Sequence, residues 1–231
     1  MLVKKQHLSE LVADKLQTMI IQREYELNDR LPSERDLAKQ LNVSRNVVRE
    51  AIKLLQERGM VKVQSGSGVY ISAQESETIS RSVGLYVQRQ NVSVTHVFEV
   101  RWILETENAR LAAQRAIAQD IQLLDDCLRR SKDAMEDPVL FTSLDIEFHR
   151  LLALSTGNPV LPLLLDTIVD TLSDHINRTS NLPGAQENAF RHHTAIFDAV
   201  RRHNPEEARA AMVAHLESSR VWLSKVIPEA E

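Results

Sequence analysis

Between Leu31 and Ser72 the chain reads LPSERDLAKQLNVSRNVVREAIKLLQERGMVKVQSGSGVYIS, and few folds accommodate that order of signals. Ser33 follows Pro32 and precedes Glu34 and Asp36, the form of a helix N-cap with an acidic first turn. The helix it opens is predicted to end near Leu41. Asn42-Val43 then turns the chain and Ser44 caps a second helix. Set at the α-helical period, that second helix has two faces. Arg45, Arg49, Lys53 and Gln56 fall on one, and Val47, Val48, Ala51, Ile52, Leu54 and Leu55 on the other. The apolar side is expected to pack on Leu37, Leu41, Val12, Leu16 and Ile20, leaving the basic side to solvent or to a polyanion. Gly59 closes the helix. Met60–Val63 and Val69–Ile71 are rich in β-formers, and Gln64-Ser65-Gly66-Ser67-Gly68 supplies the glycines of a hairpin turn.

Two helices and a hairpin in this order predict a winged helix-turn-helix. A basic helix face alone is usually just a solvated surface; the wing turns the reading toward DNA. A glycine-rich tip lets backbone N–H groups approach phosphates. The arginine fork matches guanine O6 and N7, and Asn46 has the donor and acceptor that adenine presents.

The charge distribution agrees. The whole chain of 231 residues carries a net charge of −4. Residues 1–72 hold 12 Lys and Arg against 9 Asp and Glu, a net of +3, and the rest holds 16 against 23, a net of −7. The basic charge lies where the DNA motif lies. Cys127 is the single cysteine, so neither an intrachain disulfide nor a cysteine-based zinc cluster can form. No signal-peptide stretch opens the chain, and apolar runs such as that around Val160–Leu165 are too short to span a bilayer. A cytoplasmic protein with no membrane association is expected.

The expected fold class is mainly α, a winged helix-turn-helix followed by an all-helical bundle of six to seven helices. The expected domains are 1–73 for the DNA-binding part, 74–93 for a linker and connecting helix, and 94–231 for the bundle. A first helix is read at about 8–23, with Leu11, Val12, Leu16, Met19 and Ile20 as its buried side. A polar linker is read over Ala73–Thr78 and a helix over about 78–90. Further helices are read at about 94–116, 118–136, 138–156, 159–179, 186–203 and 205–226. Their breaks fall at Asp137-Pro138, Gly157-Asn158-Pro159, Leu182-Pro183-Gly184 and Asn204-Pro205.

Within the bundle, Asp145 and His149 stand four residues apart and share a helix face. His193 and His215 lie on two other amphipathic helices. Three imidazoles and a carboxylate from three helices can converge on a divalent metal ion, and such donors suit Zn, Ni, Mn or Fe. Each histidine alone reads equally as surface or as satisfied core.

The DNA-reading segment resembles the GntR family of bacterial transcriptional regulators, on LPSERDLAKQLNVSRNVVREAIKLLQERGMV and GSGVYIS. The resemblance implies that Arg35, Arg45, Arg49 and Gly66 contact the operator; Lys53 is added by the helical face and Asn46 by the chemistry of its amide. Asn46-Val47 replaces the Thr-Pro or similar pair common in the family, so the operator sequence does not follow from the resemblance. The region from about 94 to 225 resembles the FCD ligand-binding domain of the FadR-like subfamily, on VFEVRWILETENARLAA, DIEFHRLLALSTGNPVL, HHTAIFDAV and ARAAMVAHL. That resemblance implies a metal ion held by Asp145, His149, His193 and His215. His192 is a neighbour of His193, but His193 aligns with the ligand.

Three further residues are expected at an effector cavity. Arg101 either clamps an effector carboxylate or pairs with Glu105 one turn on. Asn158 either points its amide inward or caps the helix that starts at Pro159. His175 lies on a helix that can line the cavity. The implied function is a metabolite-responsive regulator, more often a repressor in this family, that binds a palindromic double-stranded DNA operator as a homodimer under control of a small carboxylate effector, an organic acid or sugar acid. The alternatives are a metal sensor and a metal-dependent enzyme with a DNA-binding head.

Overall fold

The computed structural model describes residues 7–64, 66–72 and 75–226. Among these the chain forms ten α-helices and one small sheet. In order they are α1 (Leu8–Ile21), α2 (Glu34–Gln40), α3 (Arg45–Glu57), β1 (Val61–Gln64), β2 (Gly68–Ile71) and α4 (Glu75–Arg89). Then come α5 (Val94–Arg115), α6 (Ala118–Asp133), α7 (Pro138–Leu154), α8 (Val160–Ser180), α9 (Ala185–Arg201) and α10 (Pro205–Ser224). The chain divides into two compact units, residues 1–82 and 83–231, so the division falls inside α4.

In the first unit the caps sit where the sequence puts them. The Asp36 N–H donates to Ser33 Oγ at 3.2 Å and the Val47 N–H to Ser44 Oγ at 3.3 Å. These side chains satisfy N–H groups that a helix start leaves open. Gly59 follows α3 at φ +75°, the left-handed geometry that ends a helix without a Cβ penalty. Strands β1 and β2 pair antiparallel, Val61 opposite Ile71 and Gln64 opposite Gly68, and form the wing. The core joins Val12, Ala13 and Leu16 of α1, Leu37 of α2, Val48, Ala51, Ile52 and Leu55 of α3, and Val61 and Ile71 of the sheet. One expectation fails. Leu11 is exposed and Ala13 is buried in its place, because the face centred on Val12, Leu16 and Met19 leaves Leu11 just past its edge at 100° per residue.

The polar stretch after the wing is less of a linker than its composition suggests. Ala73 and Gln74 lie outside the described residues, but the chain is helical from Glu75. Glutamate is a good helix former and is favoured in a first turn. The chain leaves the helix at Gln90, and Ser93 caps α5 by accepting the His96 N–H at 3.3 Å.

The second unit is helical throughout its described residues, and each end of α5 to α10 falls within three residues of its predicted position. Asp137 and Asn204 cap α7 and α10, each ahead of a proline at the first helical position. The core gathers Phe98 and Ala109 of α5, Leu124 and Cys127 of α6, Phe141, Leu144 and Phe148 of α7, Ile196 and Val200 of α9, and Met212 and Leu216 of α10. Helix α5 is the unusual member. Arg101, Glu105, Thr106 and Asn108 are all buried on it, polar groups where a core helix normally presents carbon.

Candidate functional site

The basic face of α3 is exposed as the helical period requires. Arg45 and Asn46 occupy its first turn, and both are solvent-exposed. Arg49 follows one turn on. Its guanidinium donates from Nε and Nη2 to the two oxygens of Glu34 at 3.2 and 3.0 Å, which fixes its orientation on the surface. Lys53 is exposed and pairs with Glu50 at 2.8 Å. Arg35 is an exposed residue of α2 beside Asp36. Gly66 sits in the wing turn at φ +75° with open space around it, so its backbone is free to approach a partner closely. Sequence reasoning passed over Arg30. It bridges to Tyr70, and a Cβ on Gly68 would lie 2.7 Å from Arg30 Nε, so this side chain lies flat against the wing.

The second constellation is inside the helical unit. His149 of α7, His193 of α9 and His215 of α10 are 2%, 0% and 3% exposed, too little for water to satisfy their nitrogens. Their ring centroids lie 4.7 to 5.0 Å apart, and each offers a nitrogen within 4.8 Å of the others. His193 stacks on Phe148 at 4.4 Å. Asp145 Oδ1 lies 3.4 Å from His193 Nε2, beside the three histidines but outside the group whose donor atoms all lie within 4.8 Å of one another. His192 is half-buried, with its ring 5.8 Å from that of His215. His149 Nε2 and both nitrogens of His193 and His215 have no hydrogen-bond partner among the described residues. Buried polar atoms are nearly always paired, so such a cluster is rare in a purely structural core. Burial drives His193 and His215 well below the ordinary imidazole value, with neighbouring histidines adding to the shift. Both rings are therefore neutral at physiological pH, with lone pairs available. Burial raises the Asp145 carboxyl, against the pull of His149 and Arg101.

Arg101 and Glu105 adjoin this cluster on α5. Burial opposes both charges, yet they stabilise each other. Arg101 Nε donates to Glu105 Oε1, and Glu105 Oε2 lies against His149 Nδ1. Burial pushes the Glu105 carboxyl up, but Arg101 and His149 outweigh it and hold it at about 2. A cavity of about 660 Å³, including its open mouth, lies beside them. Arg101, Asp145 and His215 form one part of its wall, and His175, Gln186 and Trp222 another. Arg101 takes the second of the two roles the sequence allows, pairing with Glu105, and it also lines the cavity. His175 reaches the cavity as expected, with a buried Nδ1 that has no partner. Asn158 does not reach it. It is exposed, and its Oδ1 accepts the Val160 N–H at 3.0 Å, so the Gly157-Asn158-Pro159 turn uses it to start α8. Gln186, with a buried partnerless Nε2, carries no sequence signal that marks it as a wall residue.

An exposed recognition helix with a wing, on one chain with a helical unit that holds buried histidines at a cavity, is the build of a DNA-binding regulator. Residues 8–71 match the family of bacterial regulatory proteins called gntR, and residues 96–218 match the FCD domain. The chain is 32% identical over 224 residues to the HTH-type transcriptional repressor NanR of Enterobacter sp. (strain 638), covering 94% of this chain and 86% of that one. It is equally similar, 32% over 222 residues, to NanR of Edwardsiella tarda (strain FL6-60), covering 94% and 85%. Among solved structures, Streptococcus agalactiae GntR superposes with a TM-score of 0.73 at 30% identity, over 92% of this chain and 99% of that one. The chain belongs to the GntR family of transcriptional regulators and carries an FCD domain. It is a regulator and not an enzyme, which removes the reading of a metal-dependent enzyme with a DNA-binding head. No helix among the described residues is long and apolar enough to cross a membrane.

Proposed function

We propose that this protein is a metabolite-responsive transcriptional repressor of the cytoplasm, which binds a palindromic operator as a homodimer and is controlled by a carboxylate effector at a metal site in its helical unit. The relatives named as repressors support the sign of the response. Arg45, Asn46, Arg49 and Lys53 of α3 would read the major groove. Arg35 and the Gly66 backbone would hold the phosphates. A single winged helix reads only a few base pairs, and a symmetric pair supplies the missing affinity and specificity.

The observation that carries the effector half is the cluster of three buried imidazoles, without hydrogen-bond partners among the described residues, beside the cavity wall. Asp145, His149, His193 and His215 fit a divalent cation of the Zn, Ni, Mn or Fe class. When bound, that ion supplies a positive centre for an anionic ligand. Arg101 adds charge at the wall, and His175 and Gln186 offer polar atoms to the rest of an organic or sugar acid. The effector acts only through its unequal affinity for the DNA-competent and DNA-incompetent arrangements.

Elemental analysis of the purified protein, with a thermal-shift screen of organic and sugar acids, tests this reading. The expected result is one divalent metal per chain and an acid that raises the melting temperature and weakens binding to a duplex selected from a random pool. His215→Ala keeps duplex binding and loses that response. An acid response that survives in His215→Ala would refute the assignment. Response to Zn, Ni or Mn alone would identify a metal sensor instead.

A further inference from the structure

The Arg101–Glu105–His149 chain has a consequence for the histidine cluster that does not follow from the ligand set itself. Glu105 is 1% exposed and divides its two oxygens, Oε1 to Arg101 Nε and Oε2 to His149 Nδ1. A guanidinium only donates, and an ionised carboxylate only accepts. When the His149 ring carries a single proton, that proton must then sit on Nδ1, facing Glu105. His149 Nδ1 meets Glu105 Oε2 in a close contact that is not an aligned hydrogen bond, and Nε2 meets no polar partner, which leaves Nε2 as the nitrogen with the lone pair. Among the described residues no other polar atom is in hydrogen-bond contact with His149, although the Asp145 carboxylate acts on it through charge. Phe148 and the rings of His193 and His215 approach it only through ring contacts.

We propose that Glu105 is a positioning residue that sets the tautomer of His149, and that Arg101 sets which way Glu105 must serve it. The inference rests on the metal reading given above. Its test lies in replacing the carboxylate by an amide of the same shape. In Glu105→Gln one arm becomes an NH2 group. Arg101 cannot accept, so the amide oxygen must face Arg101 and the NH2 must face His149 Nδ1. The ring proton then moves to Nε2, and the ligating lone pair is lost. Replacing Arg101 by Met as well removes that constraint. The amide can turn its oxygen back to Nδ1, and the original tautomer returns.

The experiment uses the full-length protein, stripped with a chelator, and compares wild type, Glu105→Gln and Arg101→Met/Glu105→Gln. Zn(II) is titrated against a competing chelator, and ¹⁵N-histidine spectra of the metal-free proteins report the tautomers. Duplex binding checks the fold. Glu105→Gln is expected to bind Zn(II) about 10- to 100-fold more weakly, the range for loss of an outer partner of a ligand histidine, with His149 protonated on Nε2. The double variant is expected to regain most of that loss, with the proton back on Nδ1. A purely structural role for the buried ion pair also allows recovery in the double variant, because the unpaired Arg101 goes with it, but it predicts a His149 proton that stays on the same nitrogen in all three proteins, so the ¹⁵N spectra decide between the two. Equal Zn(II) affinity in wild type and Glu105→Gln, or a wild-type His149 proton on Nε2, overturns the inference and leaves the metal reading intact. A wild type that binds no metal overturns the metal reading itself and this inference with it.

Discussion

The exposed face of α3 and the buried cluster of α7, α9 and α10 both present polar groups, and the fold treats them in opposite ways. Arg45, Asn46 and Lys53 stand in water, where a charged or polar side chain is stable without help. Their chemistry gains meaning only from the wing beside them and the helix that carries them. His149, His193 and His215 stand where water cannot reach. A polar atom buried without a partner costs about 1–3 kcal/mol, so this cluster is informative by itself. A surface charge needs a fold to interpret it, whereas an orphaned core nitrogen already implies something that completes it.

That contrast can be broken most sharply at the cluster. His193→Ala removes a nitrogen no other residue replaces. It should reduce metal affinity by more than the roughly 100-fold that an outer-partner change can cost, measured by chelator competition, with duplex affinity within about twofold of wild type. Next come Arg45→Ala and Arg49→Ala, each expected to weaken binding to a selected duplex by about 1–3 kcal/mol and to relax one base position. Gel-shift titration at one fixed salt concentration measures both, and unchanged affinity would remove the arginines from the interface.

A smaller effect separates the regions by pH. The folded pKa of His193 and of His215 lies below the ordinary value of 6.5. Below pH 6.5 the unfolded chain therefore takes up protons that the folded chain refuses. Stability of the metal-stripped protein is highest above that pH and falls as the pH drops toward 5. Each histidine contributes a slope of up to about 1.4 kcal/mol per pH unit. Denaturant melts at several pH values follow it, and His193→Phe should flatten the slope. The smallest effect is local to the DNA-reading unit. Ser44→Ala removes the cap that accepts the Val47 N–H and should cost about 1 kcal/mol, read as a lower denaturation midpoint.

The same contrast explains what was legible in the sequence. Caps, turn glycines and prolines act within a few residues, so Ser33, Ser44, Gly59, Pro138 and Pro205 mark their helix ends directly. The basic face of α3 follows from one helical period. Asp145 and His149 share a face for the same reason, but their meeting with His193 and His215 depends on how three helices pack, so spacing could offer it only as one possibility and the family resemblance was needed to favour it. Where the signals were ambiguous, packing decided. Arg101 both pairs and lines the cavity, and Asn158 caps. Spacing paired Glu105 with Arg101, but its contact with His149 crosses from α5 to α7, and no local pattern encodes it. Arg30 and Gln186 were missed because each matters through a neighbour distant in sequence.

The central claim is that the outward arginines and the inward histidines serve different partners. Fluorescence anisotropy of one selected duplex, titrated at a single salt concentration with wild type, Arg45→Ala and His193→Ala, addresses it directly. The account predicts at least a fivefold loss of affinity for Arg45→Ala and wild-type affinity for His193→Ala. Wild-type binding by Arg45→Ala, or an equal loss in a folded His193→Ala, would contradict it.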